Sequence, residues 1–306
     1  MSWDLCLLWL VLMASLCSAS ALPGTFPYRL LVTDMDGTLL QSNGALSERN
    51  VAALRRLTQE GVQVAIATGR PSRALQPFVD QLGLSSLPVV VFNGALMARM
   101  QAGASVPSEV LFSLPLPPAD VDAVLAVGEA LDLCISYVLL DGSYCRPRND
   151  EHRELLRKFE TLEGISQTIV DSFDGLAPPL KLVLLAKDPD AAAAEARSRL
   201  PKELQTHVIS AEMHVEFLNA AANKGTALPR LAELLGVTLE ETIAFGDGSN
   251  DLEMLRAAGY GVAMSNAKRV TKDGADHVLE WSNDEDGVAQ FLEKLLSKPS
   301  NEGAEL

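Results

Sequence analysis

The chain has 306 residues, 48% of them hydrophobic and 21% charged, which suits one large or two medium domains and excludes a disordered chain. Its net charge of −15 is spread along the sequence rather than gathered in a tail. That excludes the basic footprint a nucleic-acid partner requires, but not a small anionic ligand, because a bound metal and a lysine can set the sign of a pocket.

At the amino end, Leu5 to Leu16 is mostly apolar, and Cys17-Ser18-Ala19 followed by Ser20-Ala21 offers small residues for cleavage. Residues 1–21 therefore resemble a signal peptide, with entry into the secretory pathway or an organelle as the consequence. The run is too short for a membrane span, so no stable membrane association is expected once it is removed. The first basic residue is Arg29, and Asp4 stands where positive charge belongs. An uncleaved anchor, and a start codon set upstream of the true one in a cytoplasmic protein, are the competing readings.

The first strand begins near Tyr28 and ends in Leu30-Leu31-Val32-Thr33-Asp34-Met35-Asp36-Gly37-Thr38, an apolar run that delivers two carboxylates into a Gly-Thr turn. Ser47 caps a helix through Val51, Leu54 and Leu57 to Gly61. Val62 to Ala67 reads as a buried parallel strand ending in Thr68-Gly69-Arg70, and Pro71 opens a helix that closes near Gly83. Pro88 to Phe92 is a third strand, ending at Asn93-Gly94. This alternation predicts an α/β fold with a doubly wound, parallel, Rossmann-like sheet.

From Gly94 the rhythm changes. Strands at Leu133 to Leu140, Lys181 to Ala186, Thr206 to Ser210 and His214 to Leu218 mix with helices at Pro118 to Leu131, His152 to Leu162 and Pro189 to Leu200. Strands and helices without strict alternation suggest a separate α+β unit over residues 94–218, inserted into a core made of 27–93 and 219–298. The α/β rhythm resumes with a helix from Lys224 to Leu235 and a strand from Thr242 to Phe245, and residues 299–306 read as a disordered tail. Of the four cysteines, Cys6 and Cys17 fall in the leader. Cys134 and Cys145 lie on segments joined at Asp141-Gly142, either as two buried thiols or as a cross-strand disulfide.

Four stations stand just beyond apolar strands or open a helix. Asp34 and Asp36 can divide nucleophilic and proton-transfer work and help hold a divalent metal. Thr68 carries a hydroxyl suited to a phosphoryl oxygen, though Thr68-Gly69 is also an ordinary strand-to-turn signal. Lys224, in Asn223-Lys224-Gly225, can neutralise phosphate and carboxylate alike, or be a solvated helix residue. Gly246-Asp247-Gly248-Ser249-Asn250-Asp251 supplies oxygen ligands for a hard cation, and lacks the full alternation and terminal Glu of a calcium loop. Their order along one sheet makes a single site the simplest account.

These motifs, DxDGT, a Ser/Thr, a Lys and GDxxND, resemble those of the haloacid dehalogenase (HAD) superfamily, and most closely its Cof-type, class IIB phosphatases. Supporting phrases are Phe92-Asn93-Gly94-Ala95, Glu216-Phe217-Leu218-Asn219, Gly261 to Ala267 and Glu285 to Ala289, so the resemblance runs from about Tyr28 to Leu296. It implies a HAD core with an inserted cap domain that closes over the site and selects a small phosphorylated metabolite. Asp34 is the implied nucleophile, forming an aspartyl-phosphate, and Asp36 the implied acid and base. The implied cofactor is Mg²⁺, held by Asp34, the main-chain carbonyl of Asp36, Asp247 and Asp251. Thr68, Gly69, Lys224, Asn250 and the amides of Met35 and Gly37 are the implied phosphoryl ligands. A phosphomutase of the same fold, and a module that binds phosphate without catalysis, are the alternatives. Arg146 and Arg148 follow an expected strand and could meet an anionic group or simply lie on the surface.

Overall fold

In a computed structural model the chain is described over residues 26–297, apart from 105, 203, 205, 211 and 212. The targeting reading of residues 1–21 and the tail reading of 299–306 lie outside the described residues. Among the described residues, no helix is long and apolar enough to cross a membrane.

The central strand is β1 (Leu30–Thr33), whose four residues are all buried. A strand buried on both faces must be covered by helices on both sides, and a parallel sheet provides this through its crossover connections. β1 pairs in parallel with β2 (Gln63–Ala67) on one side and β12 (Thr242–Gly246) on the other. β3 (Leu87–Val91) extends the sheet beyond β2; β13 (Tyr260–Ala263) and β14 (His277–Val278) extend it beyond β12. The order β14-β13-β12-β1-β2-β3 reverses direction between β1 and β12. At such a switch point adjacent connections leave to opposite faces, and a crevice opens at the carboxyl ends of the strands.

Helices α1 (Glu48–Gln59) and α2 (Ser72–Leu82) make the crossovers from β1 to β2 to β3. α6 (Lys224–Leu234) leads into β12, and α7 (Leu252–Ala257) crosses from β12 to β13. Because the two series run in opposite directions along the sheet, right-handed crossovers place them on opposite faces. The caps follow the sequence. The Ser47 hydroxyl accepts from the Asn50 amide to start α1, and left-handed Gly83 closes α2. The short helix α8 (Arg269–Lys272) follows β13, and α9 (Gly287–Ser297) packs against α1. Asn50 stitches that packing: buried, it donates to the Leu39 carbonyl and accepts from the Ala289 amide.

One boundary differs from the sequence reading. Residues 96–113, expected in the inserted unit, belong to the first sheet: β4 (Leu96–Met100) and β5 (Glu109–Ser113) add antiparallel to β3. The change of rhythm at Gly94 marks the end of the parallel alternation but does not say which sheet the next strands join. The chain leaves the core at Leu114, whose amide still bonds to Ala95, and reaches the inserted unit at Leu116, whose amide bonds to Pro179.

The second sheet has the order β10-β11-β9-β6-β7-β8, built from β6 (Cys134–Val138), β7 (Ser143–Arg146), β8 (Thr168–Ile169), β9 (Lys181–Leu185), β10 (Thr206–Ser210) and β11 (His214–Asn219). It is antiparallel except for the β7–β8 pair. Helices α3 (Pro118–Ala130) and α5 (Pro189–Arg199) share one apolar cluster with Leu182, Leu184, Val215 and Phe217 on one face. Helix α4 (Asp150–Glu163) brings Leu155, Leu156 and Phe159 to Val183 and Leu185 on the other. Cys134 and Cys145 are buried free thiols on that face, with their sulfurs 3.2 Å apart. The hydrogen bond with Cys134, reinforced by burial, pushes the Cys145 thiol far above its ordinary range. The chain returns to the core at Asn219, whose side chain donates to the Pro115 carbonyl at 3.0 Å and so ties the two linkers together.

Candidate active site

The switch point collects the four stations. Asp34 follows the last residue of β1, and its amide donates to Phe245 of β12, which fixes it at the crevice. The next residues turn sharply, with the Thr38 and Leu40 amides both bonding back to the Met35 carbonyl. Gly37 sits in this turn at φ +79°, and a Cβ there would lie 2.5 Å from an oxygen of Asp247. Only glycine meets both demands. Thr38 then donates its hydroxyl to Asp247 Oδ1 at 2.9 Å, joining the β1 turn to the end of β12.

Lys224 opens α6, capped by the Asn223 side chain. Its Nζ donates to Asp34 Oδ1 at 2.5 Å and to Asp251 Oδ1 at 2.6 Å, and the lysine is only 1% exposed. The other oxygen of Asp251 accepts from the amides of Asp247 and Gly248 at 3.0 and 2.8 Å. Asp251 thus shapes the 246–251 loop as well as holding the lysine. Burial pushes the Asp34 carboxyl up to about 7 against the opposing pull of Lys224, with Asp251 and Asp247 pushing the same way as burial. Asp247 is likewise raised, chiefly by burial.

Carboxylate oxygens of Asp34, Asp247 and Asp251 lie within 4.8 Å of one another. Three carboxyl groups face one ammonium, and the donors are all oxygen. That set fits a hard divalent cation, with no soft ligand to favour a transition metal. The Asp36 side chain stands apart from this cluster: half exposed, it is gripped by Arg70, whose Nε and Nη2 donate to its two oxygens at 2.8 and 2.5 Å.

The remaining station comes from β2. Thr68 is buried, its amide bonds to Val90 of β3, and its hydroxyl accepts from the Arg70 amide. Gly69 passes so close to Asn93 that a Cβ would lie 3.2 Å from the Asn93 carboxamide. Asn250, exposed at the mouth of the 246–251 loop, donates to Asn93 Oδ1 at 3.1 Å. The structure therefore gathers Asp34, Met35, Asp36, Gly37, Thr68, Gly69, Lys224, Asp247, Asn250 and Asp251 around one crevice.

Arg70, Thr38, Asn93 and Asn266 complete the site and were not singled out from the sequence. Asn266 donates to the Gly37 carbonyl at 2.7 Å and buttresses the turn from the β13 side. Arg70 directly follows Thr68-Gly69, so its closeness to a motif was the available signal. Asn93 and Asn266 stood inside phrases read only as marks of kinship. Arg146 and Arg148 are elsewhere: Arg146 pairs with Glu129 and lies over Phe173, and Arg148 pairs with Asp132. Acids at the end of α3 occupy both.

A family model described as haloacid dehalogenase-like hydrolase matches residues 31–292. A 5-amino-6-(5-phospho-D-ribitylamino)uracil phosphatase, YitU of Bacillus subtilis (strain 168), is 34% identical over 281 residues, covering 89% of this chain and 99% of its own. An HMP-PP phosphatase of Cronobacter sakazakii is 34% identical over 242 residues, covering 78% of this chain and 85% of its own. The crystal structure of a haloacid dehalogenase-like hydrolase from Bacteroides thetaiotaomicron superposes with a TM-score of 0.73 at 28% identity, over 88% of this chain and 99% of that one.

Proposed function

The chain belongs to the haloacid dehalogenase-like hydrolases, as a Cof-type class IIB member, and from that premise we propose that it hydrolyses a small phosphate monoester, a sugar phosphate in the first instance, with Mg²⁺. The observation that carries this reading is Asp34 itself, a nearly buried carboxylate at the end of β1 with Lys224 on one oxygen and two further carboxylates beside it. Such a group is poised for attack on phosphorus where charge is already being neutralised. Relatives named as phosphatases of phosphorylated small molecules support the same class of substrate.

In this reading Asp34 attacks the phosphorus, and the ester oxygen leaves with a proton from Asp36. The aspartyl-phosphate on Asp34 is then opened by water, which gives a proton back to Asp36 as it attacks. Lys224 and Thr68 hold phosphoryl oxygens, joined by Asn250 and the amides of Met35 and Gly37. Asp34 and Asp247, with Asp251 alongside and the Asp36 main-chain carbonyl, would hold Mg²⁺, which would supply charge neutralisation at the phosphoryl group.

A cavity of about 180 Å³ begins at Pro71, Ser72 and Arg73, directly after Arg70, and is closed from the second sheet by Val138, Ser143 and Ser166. It abuts the site rather than including it, and is below the roughly 300–1,000 Å³ of drug-sized sites, which favours a small leaving group. The inserted unit acts as the cap that selects it.

The test is phosphate release from a panel of sugar, nucleotide and cofactor phosphates, with Mg²⁺ and with chelator. Release by the wild type that chelator and Asp34→Asn both abolish is the expected result. An Asp34→Asn protein of near-normal activity overturns the assignment, and interconversion of sugar phosphates without free phosphate points to a mutase.

A further inference from the structure

Strand β3 ends at Val91, and the chain reverses into β4 through Phe92, Asn93 and Gly94, three successive residues at positive φ of 51°, 54° and 112°. Asn tolerates the left-handed region, but a bulky residue such as Phe rarely enters it, and a chain that only had to reverse would not need Phe there. Backbone held in such a conformation by its surroundings is a mark of functional sites.

This turn touches the Thr68–Arg70 segment and Asn250. The Phe92 amide donates to the Arg70 carbonyl at 3.2 Å and the Asn93 amide to the Thr68 carbonyl at 3.0 Å. The Asn93 side chain, half-buried, lies against Gly69, and its Oδ1 accepts from Asn250. With Oδ1 turned to Asn250, Nδ2 donates to no protein acceptor among the described residues. On its far side the turn meets the cap, with the Lys181 ammonium 5.5 Å from the centre of the Phe92 ring. Asn93 therefore stands between Thr68 and Asn250, on the side where the cap closes.

We propose that Asn93 is a phosphoryl-binding residue, its Nδ2 donating to a phosphoryl oxygen beside the Thr68 hydroxyl. The proposal rests on the phosphatase reading. It accounts for the strained turn, since a hydrogen bond from a neutral amide to a charged oxygen is among the stronger ones a side chain can make. It also accounts for Gly69, because a side chain there would push the carboxamide out of the site.

Asn93→Gly is the informative variant, because glycine adopts the left-handed backbone freely and removes only the carboxamide. Orthovanadate and inorganic phosphate serve as probes, since neither carries a leaving group. The expected result is inhibition weakened about tenfold or more for both, the loss typical of one hydrogen bond to a charged group. The same fractional loss of kcat/KM should follow for esters of every leaving group, and Asn93→Asp should lose more, by placing a carboxylate against the phosphoryl oxygens. An Asn93→Gly,Asn250→Ala double variant should be weaker than Asn250→Ala alone. Wild-type orthovanadate inhibition in a folded Asn93→Gly, a loss confined to particular leaving groups, or a double variant no worse than Asn250→Ala overturns the proposal. A wild type that neither releases phosphate nor binds orthovanadate overturns the phosphatase reading and this assignment together; an active wild type with an unaffected Asn93→Gly overturns this assignment alone.

Discussion

Arg70 holds both oxygens of Asp36 in its guanidinium fork, and lies 5.6 Å from the Phe78 ring, which steadies it from the α2 side. Asp36 is half exposed, so this grip sets where its carboxyl points. A group that protonates a departing oxygen matters most when that oxygen leaves poorly. Arg70→Ala should therefore lower kcat about tenfold on alkyl phosphates and much less on an aryl phosphate, the pattern of a weakened general acid. Asp36→Asn should show the same pattern more strongly. Equal losses on both substrate types would place Arg70 in phosphoryl binding instead.

The clustering of the candidate site was legible because its motifs are local in sequence. Asp34 and Asp36, Thr68, Lys224 and Asp247 each sit where an apolar run stops or a helix opens, and a parallel sheet aligns such ends without further instruction. What could not be read depends on contacts far apart along the chain. Nothing in the β4 and β5 segments names a partner sheet, and the turn at Phe92 to Gly94 directs them to β3. Arg70 gripping Asp36 spans 34 residues, and Asn250 meeting Asn93 spans 157. Periodicity carries no information about such pairs. Conversely, Arg146 and Arg148 looked available because nothing in a linear reading reveals Glu129 and Asp132 across the fold.

Among the described residues, Lys224 is the one cation hydrogen-bonded within this nest of three carboxylates. Breaking a buried ion pair from one side costs about 3–5 kcal/mol, so Lys224→Met should lower Tm by roughly 6–20 °C as well as abolish turnover. Because the variant leaves the carboxylates more strongly repelling, millimolar Mg²⁺ should raise its Tm further than it raises that of the wild type. Thermal scans with and without the metal check both statements. A variant that Mg²⁺ stabilises no more than wild type would show that the metal binds away from these oxygens.

Gly37 combines a left-handed backbone with the carboxylate of Asp247 in the space a Cβ would fill. Gly37→Ala should cost about 1–3 kcal/mol, through backbone strain and crowding together, and should displace Asp247 enough to remove most activity. Gly44 is the natural control, since it has φ +80° and nothing within 4 Å of its would-be Cβ. Gly44→Ala carries the backbone strain alone, so it should be milder in urea unfolding and leave turnover intact. Equal losses of activity in the two would mean that the contact with Asp247 is not what the site depends on.

Lys181 and Glu216 form another nearly buried ion pair, at 2.5 Å across β9 and β11, with His214 Nε2 3.2 Å from the same oxygen. Burial pushes Glu216 up, but the Lys181 charge and the His214 and Lys181 hydrogen bonds outweigh it and hold the carboxyl at about 2, against an ordinary 4.5. A carboxyl held lower in the folded state than in the unfolded one adds stability that is complete above the unfolded value. That stability is lost as the pH falls through the folded value. Wild type should thus exceed Glu216→Gln by about 3 kcal/mol at pH 7, with the gap narrowing from about pH 4.5 downward as pH approaches 2. Urea unfolding at pH 7, 5.5 and 4 measures the gap, which should be equal at the first two and smaller at the third. A gap that stays constant to pH 4 would mean that shape, not charge, makes the Glu216 contribution. Because Lys181 also faces Phe92, the same loss of pairing should loosen the cap from the Phe92–Gly94 turn, raising KM without a matching fall in kcat.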